Sequence, residues 1–434
     1  MRCCPKPSAH ERLDARHPVT PRRRKVLLTA GMLAVALALG ARWLLQADNL
    51  APLLLAQAER ATGLEISARG ASEYRLRGTP QVVLRQVVAR VPGETGALLS
   101  ADRVLLAVPW STLRARGREL AVTRIELDAP VLSVPALQRW LASRPESARP
   151  TPTLSDGLRI TDGTLGGDGW VLRDVQARVP RFDEAKPLQA TVSGLYSSSA
   201  LDAPFDVSLV MKRPASGSAL GLVGTARPAT ASWSSNVGFR LSGVLHYQAN
   251  PRLDQAVFGA HVQHRAGGEP LRFAVGFAGP VRMERGRFGL QPLALALRGE
   301  GAVPELDAEG AVYAGSTLQL QLEGQLARWP EAWPALPPPL SQQRSPLPFS
   351  LAYDGATDLS GVASLQLRRD ATRLDSRFRL PAMLAWSDAM DAGSPLPPMS
   401  GTLATPRLEI SGAVLEGVEV SIEDPELTDG SVLQ

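Results

Sequence analysis

Residues 317–323 read TLQLQLE, which puts Leu318, Leu320 and Leu322 on one side of an extended chain and Gln319, Gln321 and Glu323 on the other. Side chains of a β-strand alternate with period two, so this spacing describes a strand with one apolar and one solvated face. The same alternation stands at Leu293, Leu295 and Leu297, interleaved with Ala294, Ala296 and Arg298. It returns in RLDSRFRL at 373–380, where Leu374, Phe378 and Leu380 oppose Arg373, Asp375, Arg377 and Arg379.

Outward from these stretches, period two predicts strands at 81–91, 98–108, 119–127, 158–161, 170–179, 188–195, 205–211, 218–226, 237–248, 255–263 and 271–278. Past residue 280 it predicts 282–290, 293–298, 306–314, 317–325, 348–354, 362–368, 372–380, 402–410 and 414–423. Gly, Pro, Asp and Ser turns separate them, the pattern of an antiparallel meander. Residues 81–91 (QVVLRQVVARV) are apolar on both faces, as a sheet base covered by helices requires. Two short helices are predicted near it. One covers 49–61, with Asp48 as cap and Gly63 as stop; the other covers 135–143, where Leu137, Trp140 and Leu141 share a face.

Two polar, Pro-rich stretches interrupt the strands. Residues 145–157 form a connection, and 329–348, with six prolines from Pro334 to Pro348, form a long connection or cap that divides the sheet. A single compact core stops growing at about 250–300 residues, yet no independent domain boundary stands out. A sheet that lengthens without thickening resolves this, since twenty strands about 4.8 Å apart extend roughly 95 Å. If the apolar face curls on itself unfilled, it forms a continuous groove; if a second sheet fills it, the result is an ordinary sandwich. The fold expected is mainly β: an elongated, curled antiparallel β-meander (a β-groove) with two short N-terminal helices and one N-terminal transmembrane helix.

Composition agrees and removes several function classes. The 434 residues carry 47 Lys+Arg against 42 Asp+Glu, a net +5. Residues 1–25 hold eight basic and two acidic side chains, so the rest of the chain is close to neutral. A basic nucleic-acid-binding face on the folded part is therefore not expected. At 44% hydrophobic residues the chain has material for a sizeable core. The two cysteines, Cys3 and Cys4, both lie in the basic tail and leave the body without a disulfide framework or a thiolate site.

Residues 26–45 read VLLTAGMLAVALALGARWLL, about 30 Å of helix, which matches a bilayer core. Arg22, Arg23, Arg24 and Lys25 precede it and orient the N-terminus to the cytoplasm, with Arg42 and Trp43 as an interfacial anchor at the other end. Ala36-Leu37-Ala38 offers a signal-peptide cleavage site, but the leader is long and the apolar run continues past it. An uncleaved single-pass anchor with an exported bulk is the expectation.

The order of elements resembles the N-terminal region of the AsmA-like family over about residues 20–180. The resemblance lies in the anchor and the helix ending Ala61-Thr62-Gly63-Leu64-Glu65-Ile66. It continues through 81–91, LSADRVLLAVPWSTL at 99–113, VTRIELDAP at 122–130, and LRITDGTL at 158–165 followed by 170–179. The last strands, 408–423, have a similar character. The resemblance implies a bacterial inner-membrane-anchored periplasmic protein with a lipid-lined β-groove, linked to phospholipid movement between the two membranes and to outer-membrane biogenesis. The organisation that follows is a tail (1–25), an anchor (26–45), an AsmA-like α+β region (46–144), a connection (145–157), a β-meander (158–328), the connection or cap (329–348) and a C-terminal β-meander (349–434).

No catalytic residue follows from the resemblance, and no nucleophile elbow, P-loop or metalloprotease motif stands in the chain. His261 and His264 lie three apart on a predicted strand and point to opposite faces, so they cannot share a metal. Asp162-Gly163 and Asp168-Gly169 read as turns. The expected protein is non-enzymatic and uses no cofactor. Its expected partners are membrane phospholipids and envelope proteins. The candidate lipid-facing side chains are Leu293, Leu295, Leu297, Leu318, Leu320, Leu322, Leu374, Phe378 and Leu380. The competing expectation is a periplasmic scaffold or assembly factor for outer-membrane or secretion-system proteins, with a filled core and protein-binding edges.

Overall fold

The computed structural model describes residues 55–427 apart from 57, 61, 70–72, 76–77, 111–121, 144–152, 248–250, 285–286, 334–335, 337–339, 341–344, 390–396 and 411–412. The basic tail, the apolar run at 26–45 and the start of the first predicted helix lie outside the described residues.

One sheet of 22 strands organises the chain. Its first part comprises β1 (Glu65–Ala68), β2 (Glu73–Arg75), β3 (Gln81–Arg90), β4 (Ala97–Ala107), β5 (Arg124–Asp128), β6 (Val131–Ser133), β7 (Gly157–Gly167) and β8 (Trp170–Val179). Then follow β9 (Leu188–Ser198), β10 (Asp202–Met211), β11 (Ser218–Ala226), β12 (Ser234–His246), β13 (Arg252–Arg265) and β14 (Leu271–Glu284). The last part holds β15 (Arg287–Gly299), β16 (Glu305–Ala314), β17 (Leu318–Arg328), β18 (Leu347–Gly355), β19 (Val362–Arg369), β20 (Thr372–Arg379), β21 (Met399–Ile410) and β22 (Ala413–Ile422). From β7 onward each strand pairs antiparallel with the next, as the alternation predicts.

One junction departs from the antiparallel expectation. β5 and β6 are two halves of one strand between β4 and β7, and both run parallel to β7. A parallel neighbour needs a crossover, and α1 (Val134–Ala142) supplies it together with the predicted connection at 145–157. Ser133 caps α1 by accepting from the Ala136 N–H at 3.4 Å. Ala136 of α1 is buried with Leu64, Ala89 and Leu98, and Trp140 packs against them. Gly63, the expected stop of the first predicted helix, has φ +68° and its N–H reaches Glu59 O at 2.6 Å. Leu55 of that helix packs on Val82, Leu84 and Val104. One face of the strand at 81–90 (Val82, Leu84, Val87 and Ala89) is thus covered, while Val83 and Val88 on the other face are half-buried and Arg85 and Arg90 are exposed.

Three further corrections concern breaks. Gly279-Pro280 and Gln291-Pro292 were expected to end strands, but they are bulges inside β14 and β15, whose hairpin lies between Glu284 and Arg287. An added Cβ at Gly279 would stand 2.2 Å from Pro292 O, so glycine permits the close approach there. The bulges at Ser242/Val244, at Gln255 (φ +52°) and at these two sites fall in neighbouring strands. A second line of positive-φ residues, Gln86, Ala129, Asp162 and Asp174, crosses β3 to β8. Asp162-Gly163 is therefore a mid-strand bulge and not a turn, whereas Asp168-Gly169 turns β7 into β8. Bulges bend the strand and increase its twist. Finally, residues 329–348 do not divide the sheet, because β17 and β18 pair directly from Leu318↔Gly355 to Leu326↔Leu347.

A helix the period-two reading did not anticipate, α2 (Leu380–Asp388), follows β20. Leu380 is its first residue and is not on the strand. Pro381, which suits a helix start, was the available signal.

Candidate functional site

Directly paired residues of neighbouring strands lie on the same face, and register then defines one apolar row. It runs through Ala190, Leu209, Leu222, Leu241, Phe258, Phe277, Leu295, Ala308, Gly324, Phe349, Leu367, Leu374, Leu403 and Val420, one residue from each strand β9–β22. Fourteen strands about 4.8 Å apart make this row roughly 62 Å long. A second row beside it runs Val192, Val207, Gly224, Phe239, Ala260, Val275, Leu297, Leu306, Leu326 and Leu347. Phe239, Phe258 and Phe277 stack successively, with ring centroids 6.4 Å and 4.9 Å apart.

The face is covered over β15–β21. The connection between β17 and β18 folds back onto it, seating Leu336 and Leu340 among Leu293, Leu322, Leu347 and Leu367. Arg369, itself buried, fastens that segment by donating to the carbonyls of Leu340 and, at 2.7 Å, Ser345. Trp329 and Trp333 meet edge to face at 5.0 Å, and Trp333 Nε1 donates to Ala302 O at 2.9 Å. The described residues between β17 and β18, Trp329, Leu336 and Leu340 among them, thus cap the apolar face.

Over β9–β12 the same face has no such cover among the described residues. Met211 is the one fully buried apolar side chain of those four strands; Leu209, Leu222, Val237, Phe239 and Leu241 are half-buried. The polar face provides the comparison within the same strands. Val210, Val223 and Val257 there are 50%, 57% and 54% exposed, while Val207, Val237 and Val262 on the apolar face are sheltered. At one end of the open stretch Ser235 Oγ and His264 Nδ1 are 2.9 Å apart, with Trp233 5.5 Å from the imidazole. His261 points to the other face, as three-residue spacing on a strand demands.

Of the nine candidate side chains, eight share the apolar face. Leu293 and Leu322 belong to the filled core, with Leu295, Leu320 and Leu374 packed against it. Leu297, Leu318 and Phe378 are half-buried on that face, and Leu380 starts α2. The choice thus fell largely on covered strands. It missed Phe239 in the open stretch, although Gly238 and Arg240 flank it and it was readable by the same rule. Arg22, Arg23, Arg24, Lys25, Arg42 and Trp43 lie outside the described residues.

Charge resides on the other face. Arg298 bridges Asp307 at 2.6 Å and Glu305 at 3.6 Å, and Gln319 Nε2 donates to Asp354 at 3.0 Å. A surface concavity of about 960 Å³ also lies mostly on this side, floored by Gly276, Ala278, Ala294 and Ala296 and rimmed by Asp307, Glu309 and Glu323. Its floor is formed by missing side-chain bulk. Near the N-terminal edge, Arg139 hydrogen-bonds Glu94 at 3.1 Å and holds its carboxyl below the usual carboxylate range. Among the described residues no three His, Cys, Asp or Glu side chains converge to hold a metal. What the arrangement offers is adhesion to apolar chains along a line.

No protein-family model, curated protein or solved structure matches the chain.

Proposed function

We propose that the protein shelters phospholipid acyl chains on the uncovered part of its apolar face, β9–β12, which curls around them as a groove. On this reading the chain is a non-enzymatic envelope protein anchored in the bacterial inner membrane by residues 26–45. Its bulk is periplasmic and contributes to lipid transport toward the outer membrane. The observation that carries the reading is the half-buried apolar stretch from β9 to β12, beside strands whose identical face is filled.

The physical mechanism is one-sided burial. Each CH₂ removed from water gains about 0.8 kcal/mol, so an acyl chain favours the row Ala190-Leu209-Leu222-Leu241 over water while its head group remains solvated. Four strands measure about 14 Å across, close to the roughly 15 Å that one leaflet contributes to a bilayer core. Repeated aliphatic contacts of similar depth allow sliding. The cap between β17 and β18 closes the face beyond β15, so lipid on the open stretch has an end stop on that side.

The test is mass spectrometry of lipids retained by the gently extracted full-length chain, with a photo-crosslinker at position 241. Phospholipid in the preparation and a lipid adduct at 241 are expected. Leu241→Asp is expected to remove both while the far-UV circular dichroism stays native. A native fold with no retained lipid and no adduct would sink the proposal. It would favour the scaffold reading, which draws support from the filled β15–β21 core and from the outermost strand β22. There Val414, Leu415 and Val420 are exposed and β21 is the sole paired neighbour among the described strands.

A further inference from the structure

Helix α2 reads LPAMLAWSD and carries no charge before its last residue. A helix that is apolar all round is normally buried. Here only one side is sheltered, by Leu380, Met383 and Trp386. Ala382 and Ala385 are exposed, and Leu384 is 57% exposed. The strand leading into it carries the complementary feature. Arg373, Arg377 and Arg379 project from one face of β20, and Arg368 stands directly opposite Arg373 on β19. All four are exposed. Asp375 pairs with Arg373, whereas Arg368, Arg377 and Arg379 form no ion pair with another described residue. Like charges directly opposite each other on a sheet oppose folding, so this stripe is held against a local cost.

We propose that α2 and the arginine stripe form a docking surface for an anionic phospholipid bilayer. Leu384, Ala382 and Ala385 enter the boundary between head groups and acyl chains, and Arg377 and Arg379 engage the phosphates beside them. An apolar helix face flanked by cations is what binding in the plane of a membrane interface requires. A neutral protein partner would cover Leu384 but leave the arginines unmatched; a soluble anion would match the arginines but leave Leu384 in water. A charged bilayer satisfies both. This surface lies on α2 and the polar face of β19–β20, separate from the open apolar stretch, and does not depend on the groove reading.

The experiment holds the full-length chain in a phosphatidylcholine nanodisc, which occupies the apolar run at 26–45. Capture of separate vesicles, with and without phosphatidylglycerol, is then measured. Capture of the phosphatidylglycerol vesicles alone is expected, weakening with added salt. Removing both cations (Arg377→Ala with Arg379→Ala) is expected to weaken capture about thirtyfold. Leu384→Glu is expected to weaken it about tenfold or more. Circular dichroism and the amount of lipid retained by the chain serve as controls and are expected to be unchanged in both variants. Equal capture of neutral vesicles overturns the proposal, as does undiminished capture by the variants. So does a loss of self-association in Leu384→Glu without any loss of capture, which identifies a second copy of the chain as the occupant. Retained lipid reports on the groove separately, so either reading can fail alone.

Discussion

β9–β12 and β15–β21 carry the same alternation of apolar and polar residues on the same sheet, yet their apolar faces end in different environments. In β15–β21 the face meets Leu336, Leu340 and Trp329 from the folded-back connection, and Leu347 and Leu367 lose all solvent exposure. In β9–β12 the equivalent leucines and valines remain half-buried, with no second layer described against them. Alternation therefore produces a one-sided strand wherever it occurs, but it does not supply the layer that fills the face. The filled part gains stability from burial; the open part keeps surface available for something else to bury.

The largest expected effect tests that contrast. Leu367→Ala removes a fully buried side chain and leaves a cavity, so a loss of about 3 kcal/mol is expected from urea unfolding. Leu222→Ala, one of the half-buried positions, has no opposing layer to leave a void against and is expected to cost about 1 kcal/mol. Equal costs would show that the open stretch is packed as tightly as the filled one.

A middle-sized effect is expected at the cap. Arg369→Met leaves the carbonyl of the buried Leu340, and that of Ser345, without their donor, at a cost of about 2 kcal/mol. Limited proteolysis is expected to cut first within 329–347 and to spare β9–β12. Cleavage elsewhere first would remove the cap from the account of why the two regions differ.

The smallest effect is expected at the exposed Glu94–Arg139 pair, far from both regions. Because the folded Glu94 carboxyl titrates below its unfolded value, its contribution is present above the unfolded pKa and fades as pH falls through the folded one. Glu94→Gln is therefore expected to lower the melting temperature slightly at pH 7, the difference fading in acid as Glu94 itself becomes protonated. A difference that persists in acid would assign the effect to packing of α1.

Much of this fold was legible before any coordinates. The strands at 170–179 and 218–226 match observed boundaries, the helix at 135–143 is displaced by one residue, and Gly63, the expected stop of the first helix, has a positive φ. The errors share a physical origin. Gly279-Pro280, Gln291-Pro292 and Asp162-Gly163 have turn chemistry, but a bulge uses the same backbone freedom as a turn. Only the partner strands reveal which one forms. α2 was missed because an exposed apolar helix violates the amphipathic pattern by which helices are recognised. Alternation placed eight of the nine candidate side chains on one apolar face, yet its most regular stretches, Leu293–Leu297 and Leu318–Leu322, belong to the covered strands.

The sequence by itself determined the strands, the apolar and polar sides of each, and the charge imbalance confined to residues 1–25. All three are local properties, set by the pleat's period of two and by where charged residues stand along the chain. Tertiary structure alone decided that β5 and β6 run parallel to β7, that bulges in successive strands fall into line, and that the connection between β17 and β18 covers β15–β21 while β9–β12 stay open. Each of these depends on which distant residues come into contact. A side chain's environment is set by the layer across from it, and the alternation within a strand carries no information about that layer.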